Sequence, residues 1–280
     1  MNFPFKILAL GGGGTKGFLH IGALQEIETV VGNLTDFFKG IYGCSIGSIL
    51  ATGIAFGLNT SQMERLSKTA MTIDFVLDDF QIDTLHDSLS EKGIFNMDSF
   101  EKHVLSAFDS ENIDLRNKFI SDAKIPLYII ASNITKGVPT IFKDHVPIMA
   151  ALKASCCIPI LFRPQQIGKS LYNDGGSITN VLMEIIPEYH RDITLAISLI
   201  HSNPEITPAN LKSLSPTEFI YNLYKITCLF EHSKHKHPNS VSLYYGNNTT
   251  GLGTPSDEEK HEMILAGRAI LRGFLSKRRN

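Results

Sequence analysis

Cysteine is scarce in this chain of 280 residues: Cys44, Cys156, Cys157 and Cys228, with no C-x-x-C pair among them. That excludes a disulfide scaffold or a zinc module built on paired thiols, and it fits a reduced intracellular protein. A surplus of charge of one sign is also lacking. The net charge of −2 argues against nucleic acid as the main partner. Long apolar runs are missing. The longest weakly polar stretch, Ile46 to Leu58, is about 13 residues, against about 20 for a membrane-spanning helix. Met1 to Leu10 meets glycines too soon for a signal peptide. The expectation is therefore a cytoplasmic protein with no transmembrane segment, whose membrane contact would be peripheral. Repeats and low-complexity linkers are absent, so no solenoid or tethered array is expected.

What is present suits a packed core: 43% hydrophobic and 19% charged residues. Short apolar strands are expected at 6–10, 37–42, 125–132, 140–142, 171–173 and 193–200. Helical spacing follows most of them, at 16–30, 46–56, 98–108, 148–155 and 181–186. A helix carrying Met63, Leu66 and Ala70 starts at Asn59 or Thr60. The last helix, 257–277, opens with the capping box Ser256-x-x-Glu259. Strands alternating with helices imply an α/β fold, a three-layer α/β/α sandwich around a mostly parallel sheet, in a single domain over 5–276. Residues 71–96, with Asp78, Asp79, Asp83 and Asp87, read as short helices and loops forming a candidate lid. Residues 203–240 read as a variable helical insertion with a helix over 216–232.

Three glycine-rich motifs sit at strand ends. Gly11-Gly12-Gly13-Gly14-Thr15-Lys16-Gly17 frees the backbone to turn its N–H groups inward around an anion. Gly43-Cys44-Ser45-Ile46-Gly47 is a G-x-S-x-G box between a strand and a helix, the context of a nucleophile elbow. Its next N–H, that of Ile46, starts a helix whose positive end favours an oxyanion. Asp174-Gly175-Gly176 offers a carboxylate that could take a serine proton. Two other chemistries use similar letters. Gly12-x-Gly14-x-x-Gly17 matches a dinucleotide fingerprint with Asp36 about 20 residues on. A Ser–Asp–His triad could be completed by His201, His232, His235, His237 or His261. The cluster of His232, His235 and His237 with Lys234 and Lys236 reads as a surface patch and not a metal site, because only Glu231 stands beside it as a further ligand.

Taken together and in order, the three motifs resemble the patatin-like phospholipase family, whose pattern is G-G-G-x-[RK]-G, then G-x-S-x-G, then D-G-[GA]. The stretch Ala154-Ser155-Cys156-Cys157-Ile158-Pro159-Ile160-Leu161-Phe162-Arg163-Pro164 is similar to the family's A-S-x-A-I-P-x-x-F-x-P block. Gly93-Ile94-Phe95 and the C-terminal helix with Gly267 also fit. Departures are Gly11, Lys16 for the commoner Arg, Cys157 for Ala, and Leu182 where Pro is common. The resemblance implies Ser45 as nucleophile and Asp174 as its direct base, with no histidine. It implies an oxyanion hole from the N–H groups of Gly12, Gly13, Gly14 and Ile46. Lys16, Gly17, Gly43, Gly47, Gly175 and Gly176 would support that site, Lys16 orienting the loop, neutralising a nearby phosphate or standing solvated at the helix start. The implied activity is a phospholipase A-type lipid acyl hydrolase needing no metal or cofactor and meeting phospholipid at a membrane surface. Lysophospholipase or neutral-lipid esterase activity and a nucleotide-binding domain remain the alternatives.

Overall fold

The computed structural model describes residues 3–70, 92–178, 182–200, 206–214, 237–246 and 254–278, together with positions 219, 222, 223 and 226. Strand β1 (Ile7–Leu10) is fully buried and runs into the glycine loop, which closes through a 3-10 turn into α1 (Gly17–Val31). A short helix α2 (Leu34–Phe37) leads to β2 (Gly40–Cys44), α3 (Ile46–Ala55) and α4 (Thr60–Ala70). Beyond 91 come β3 (Gly93–Phe95), α5 (Asp98–Asp109), β4 (Leu127–Asn133), β5 (Val138–Phe142) and α6 (Ile148–Cys156). Three short strands follow, β6 (Ile160–Phe162), β7 (Gln165–Ile167) and β8 (Ser170–Asp174). Helices α7 (Leu182–Ile185) and α8 (Glu188–Arg191), strands β9 (Thr194–Leu199) and β10 (Ser240–Leu243), and α9 (Asp257–Ser276) complete the chain.

Five strands, β10-β9-β1-β2-β4, are parallel, and β5, β8 and β7 extend the sheet in antiparallel fashion. Side chains alternate across the strands, so the sheet feeds two cores. The larger holds Leu8, Leu10, Ile41, Ile129 and Ala131 against α1, α3, α4, α5, α6 and α9. The smaller holds Ile7, Ala9, Tyr42, Cys44, Ile130 and Ala196 against Leu182, Met183 and Ile186. That is the expected three-layer α/β/α arrangement around a mostly parallel sheet.

Several expectations move by local chemistry. Residues 37–42 are not one strand: Asn33 accepts a hydrogen bond from Asp36 N and caps a helical turn, so pairing starts only at Gly40. Residues 93–95 are not lid loop but a strand paired in parallel with β6. Strand β10 begins at Ser240, where a helical insertion was expected to end. Residues 71–91 of the expected lid over 71–96 and most of the expected helix over 216–232 lie outside the described residues.

Helix α9 locks onto α1 through two glycines and one ion triad. A Cβ on Gly267 would lie 2.0 Å from Leu19 O, and one on Gly22 1.8 Å from Ile264 O. Nearby, Glu26 receives Arg272 at 2.8 Å and Arg268 at 3.3 Å. The Arg272 hydrogen bond, ahead of the cost of burial, holds the Glu26 carboxyl below its ordinary range. The capping box Ser256/Glu259 starts this helix as expected. Gly267→Ala is expected to lower the unfolding free energy by about 3 kcal/mol, because the backbones must part. Gly273→Ala, in open space on the same helix, is expected to raise it by about 0.5–1 kcal/mol. Urea unfolding of both variants measures the difference.

Candidate active site

Ser45 sits where β2 turns into α3, with φ 53° and ψ −130°. A side chain held there costs on the order of 1–3 kcal/mol, so the surroundings must fix it. They do so from three sides. Ser45 N donates to Ser155 Oγ at 2.9 Å, and Ser155 Oγ donates on to Ile130 O at 2.6 Å. Ser45 O accepts from Ser48 Oγ at 2.6 Å and from Ser48 N at 2.8 Å. Gly47 lets α3 close onto the end of β1, since a Cβ there would meet Leu10 O at 2.2 Å. Gly43 packs in the same way against Ser48.

The glycine loop reaches the same point. A Cβ on Gly12 would stand 3.0 Å from Ser45 Cβ and 3.6 Å from its Oγ. Gly14 takes φ 57° and opens the turn to Lys16, and Gly17 starts α1. Gly13 packs against Leu199. Lys16 is not solvated: it is fully buried, with Nζ 3.5 Å from Ile200 O. It reads as a brace between the loop and the end of β9.

Asp174 arrives from the opposite direction. Strand β5 occupies one edge of β4 over 129–133. The other edge is shared: β2 pairs with 127–130 and β8 with 131–133. The two strands therefore meet end to end, Cys44 beside Ile130 and Asp174 beside Ala131, a step of about 3.4 Å along β4. Ala131 belongs to the larger core, so alternation turns Asp174 to the side on which α3 and α6 lie. Gly175 confirms the junction, because a Cβ there would meet Cys44 Sγ at 2.5 Å. Asp174 is 1% exposed, its N donates to Cys157 O at 2.7 Å, and its Oδ1 accepts from Gly176 N at 2.9 Å.

The neighbouring thiols are held in their protonated form. Burial, and then the charge of Asp174, push the Cys156 and Cys157 thiols well up. Beyond Cys157 the chain turns at Ile160, a β-branched residue held at φ 71° and 55% exposed.

Two residues here carried no sequence signal of their own. Ser155 was visible only as a letter of the A-S-x-A-I-P block, yet it holds the Ser45 backbone. His20 lies on α1 and places Nε2 2.9 Å from Gly11 O. A carbonyl only accepts, so Nε2 carries the proton and donates. His20 thus pins the first residue of the glycine loop. Of the histidines weighed for a triad, His261 is exposed on α9, His237 accepts from Asn239 N at 3.1 Å, and the others lie outside the described residues. Asp36, the acid a dinucleotide site would need at the end of the second strand, is exposed on α2 before β2. Among the described residues no group of His, Cys, Asp and Glu could hold a metal, and no helix is long and apolar enough to cross a membrane.

Burial lowers the His20 pKa from 6.5 to about 4, against a smaller opposing effect of its bond to Gly11. The unfolded chain therefore binds the extra proton first. Stability from neutral His20 is full above about pH 6.5 and is lost as pH falls towards 4, about 3 kcal/mol in all. His20→Gln keeps an N–H donor without the titration. Urea unfolding is expected to show wild type losing about 2 kcal/mol more than His20→Gln between pH 6.5 and 5. Equal losses would contradict the assignment.

Comparison with known proteins gives the chain's fold and family. VipD from Legionella pneumophila shares the fold at a TM-score of 0.57 and 16% identity, covering 98% of this chain and 67% of that one. A probable lipid hydrolase of Invertebrate iridescent virus 6 is 29% identical over 196 residues, 66% of this chain and 64% of its own. An intracellular phospholipase A2 of Caenorhabditis elegans is 25% identical over 202 residues, 68% of this chain but 18% of its own. The chain thus matches only part of the length of these two relatives. The sequence model of the patatin-like phospholipase family matches residues 8–186, a span that takes in the glycine loop, the Ser45 elbow and the Asp174 strand end. With those three elements folded onto one point, this chain belongs to the patatin-like phospholipase family.

Proposed function

We propose that the chain is a serine-dependent lipid acyl hydrolase of phospholipase A type. The observation that carries this reading is the convergence, at the ends of β1, β2 and β8, of a glycine loop, a strained, clamped serine and a buried aspartate. Ser45 Oγ attacks the ester carbonyl of a phospholipid and passes its proton to the Asp174 carboxylate. The negative oxygen of the tetrahedral intermediate is held by N–H groups of Gly12, Gly13 and Gly14, with that of Ile46 at the helix start. Collapse breaks the ester C–O bond. The departing lyso-lipid alkoxide takes the proton from Asp174, leaving an acyl group on Ser45. Water then gives a proton to Asp174 and attacks the acyl-enzyme, and the fatty acid leaves as Ser45 recovers its proton. Each backbone donor to the oxyanion is worth on the order of 3 kcal/mol.

His20 is a positioning residue in this scheme and not the base, because its donated proton goes to Gly11 O. Ser155 acts likewise through Ser45 N.

Incubation with mixed phospholipid vesicles, followed by analysis of the lipid products, is the test. Wild type is expected to release fatty acid and lyso-lipid. Ser45→Ala and Asp174→Asn are each expected to slow release by about a thousandfold or more while staying folded. Ser45→Ala is also expected to lose labelling by a fluorophosphonate. Turnover only on lyso-lipids or neutral esters would move the assignment to the alternative hydrolases. Absent labelling with saturable NAD binding would overturn it.

A further inference from the structure

Two hairpins project past the junction of Ser45 and Asp174, and both are built alike. The β4–β5 tip reads Ile134-Thr135-Lys136-Gly137-Val138, and the β7–β8 tip reads Ile167-Gly168-Lys169-Ser170-Leu171. Each sets one lysine between aliphatic residues. Ile134, Val138 and Leu171 are 42%, 45% and 41% exposed, and Lys136 and Lys169 are exposed between them. Gly137 and Gly168 make the turns at φ 69° and 62°, and a Cβ on either would meet nothing within 4 Å. The tips are bonded to each other: Ile134 N donates to Leu171 O at 3.0 Å, and Leu171 N to Thr135 Oγ1 at 2.9 Å. They therefore form one stiff double tip.

Its position and charge identify what it meets. Leu171 precedes Asp174 by three residues on β8, about 10 Å along the strand. The double tip thus stands outward of the catalytic junction on the same end of the sheet. The chain as a whole has more Asp and Glu than Lys and Arg, 28 against 26, yet 127–142 and 160–173 contain no carboxylate at all. Their charged side chains are Lys136, Arg163 and Lys169. Exposed aliphatics beside cations, with no acid among them, match the boundary between acyl chains and anionic headgroups.

We propose that the 134–138 and 167–171 tips are the bilayer-docking element of this protein. They insert their aliphatic side chains into an anionic phospholipid surface while Lys136 and Lys169 meet its phosphates, which brings the Ser45 site down onto the lipid. The inference rests on the hydrolase reading for its purpose, and the two can fail separately.

The test is co-sedimentation of the full chain with vesicles of phosphatidylcholine alone and of phosphatidylcholine with phosphatidylglycerol. Hydrolysis of a soluble short-chain ester is followed alongside. Wild type and Ser45→Ala are expected to bind the phosphatidylglycerol vesicles equally and to release them at high salt. The double variant Lys136→Gln/Lys169→Gln is expected to bind about tenfold more weakly. The triple variant Ile134→Ser/Val138→Ser/Leu171→Ser is expected to lose binding even at low salt. Both are expected to keep wild-type rates on the soluble ester. The lysine variant alters only solvated side chains, so it decides the matter even if the triple variant misfolds. Undiminished binding by the lysine variant, or no binding by wild type, overturns the proposal. Tip-dependent binding by a protein that hydrolyses nothing would leave the docking element standing and remove the hydrolase reading. Ester turnover with tip-independent binding would do the reverse.

Discussion

The backbone of Ser45 is the constraint on which the rest depends. A serine at φ 53° and ψ −130° would relax if left alone, and its hydroxyl would turn away from the loop. Ser155 and Ser48 hold the two ends of its peptide units, and α6 exists in part to deliver Ser155 there. The strain of about 1–3 kcal/mol is offset by burial on both sides of the sheet, where the larger core joins helices α1, α3, α4, α5, α6 and α9 to the strands.

Sheet topology supplies the partner. Because β2 and β8 share one edge of β4, a parallel strand and an antiparallel strand end against each other. Parallel strand ends gather loops and helix N-termini; the antiparallel strand brings a buried carboxylate to the same point. The glycine loop, pinned by His20 and braced by Lys16, closes the third side. The same mixed arrangement pushes two hairpin tips beyond the site, so the feature that joins Ser45 to Asp174 also shapes the surface around it.

Much of this was legible in the sequence, for identifiable reasons. Strands such as Ile7–Leu10 are short unbroken apolar runs, and the Ser256/Glu259 box announces its helix. The three glycine motifs survive as letters because a turn, a close approach or a positive φ needs those residues. Gln165–Ile167 and Ser240–Leu243 were not legible, being too short and polar to show a period. Phe37 and Phe38 lengthened an apolar run that Asn33 in fact caps as helix. Ser155 and His20 bond to backbone atoms, Ser155 across 110 positions, and no side-chain pattern records such a partner. Of the readings open for Lys16, the loop-orienting one fits its burial and the solvated one does not, because a carbonyl waits inside. The meeting of β2 with β8 depends on which edge of β4 each takes, a property of the fold and not of any segment.

The central claim is that Ser45 carries the acyl group. Rapid quenching of wild-type protein during turnover of a phospholipid, followed by mass spectrometry of its peptides, tests it most directly. The account predicts a mass increase of one fatty-acyl group on the peptide containing Ser45. An acyl group on another residue, or turnover with no adduct on Ser45 at any time, would contradict it.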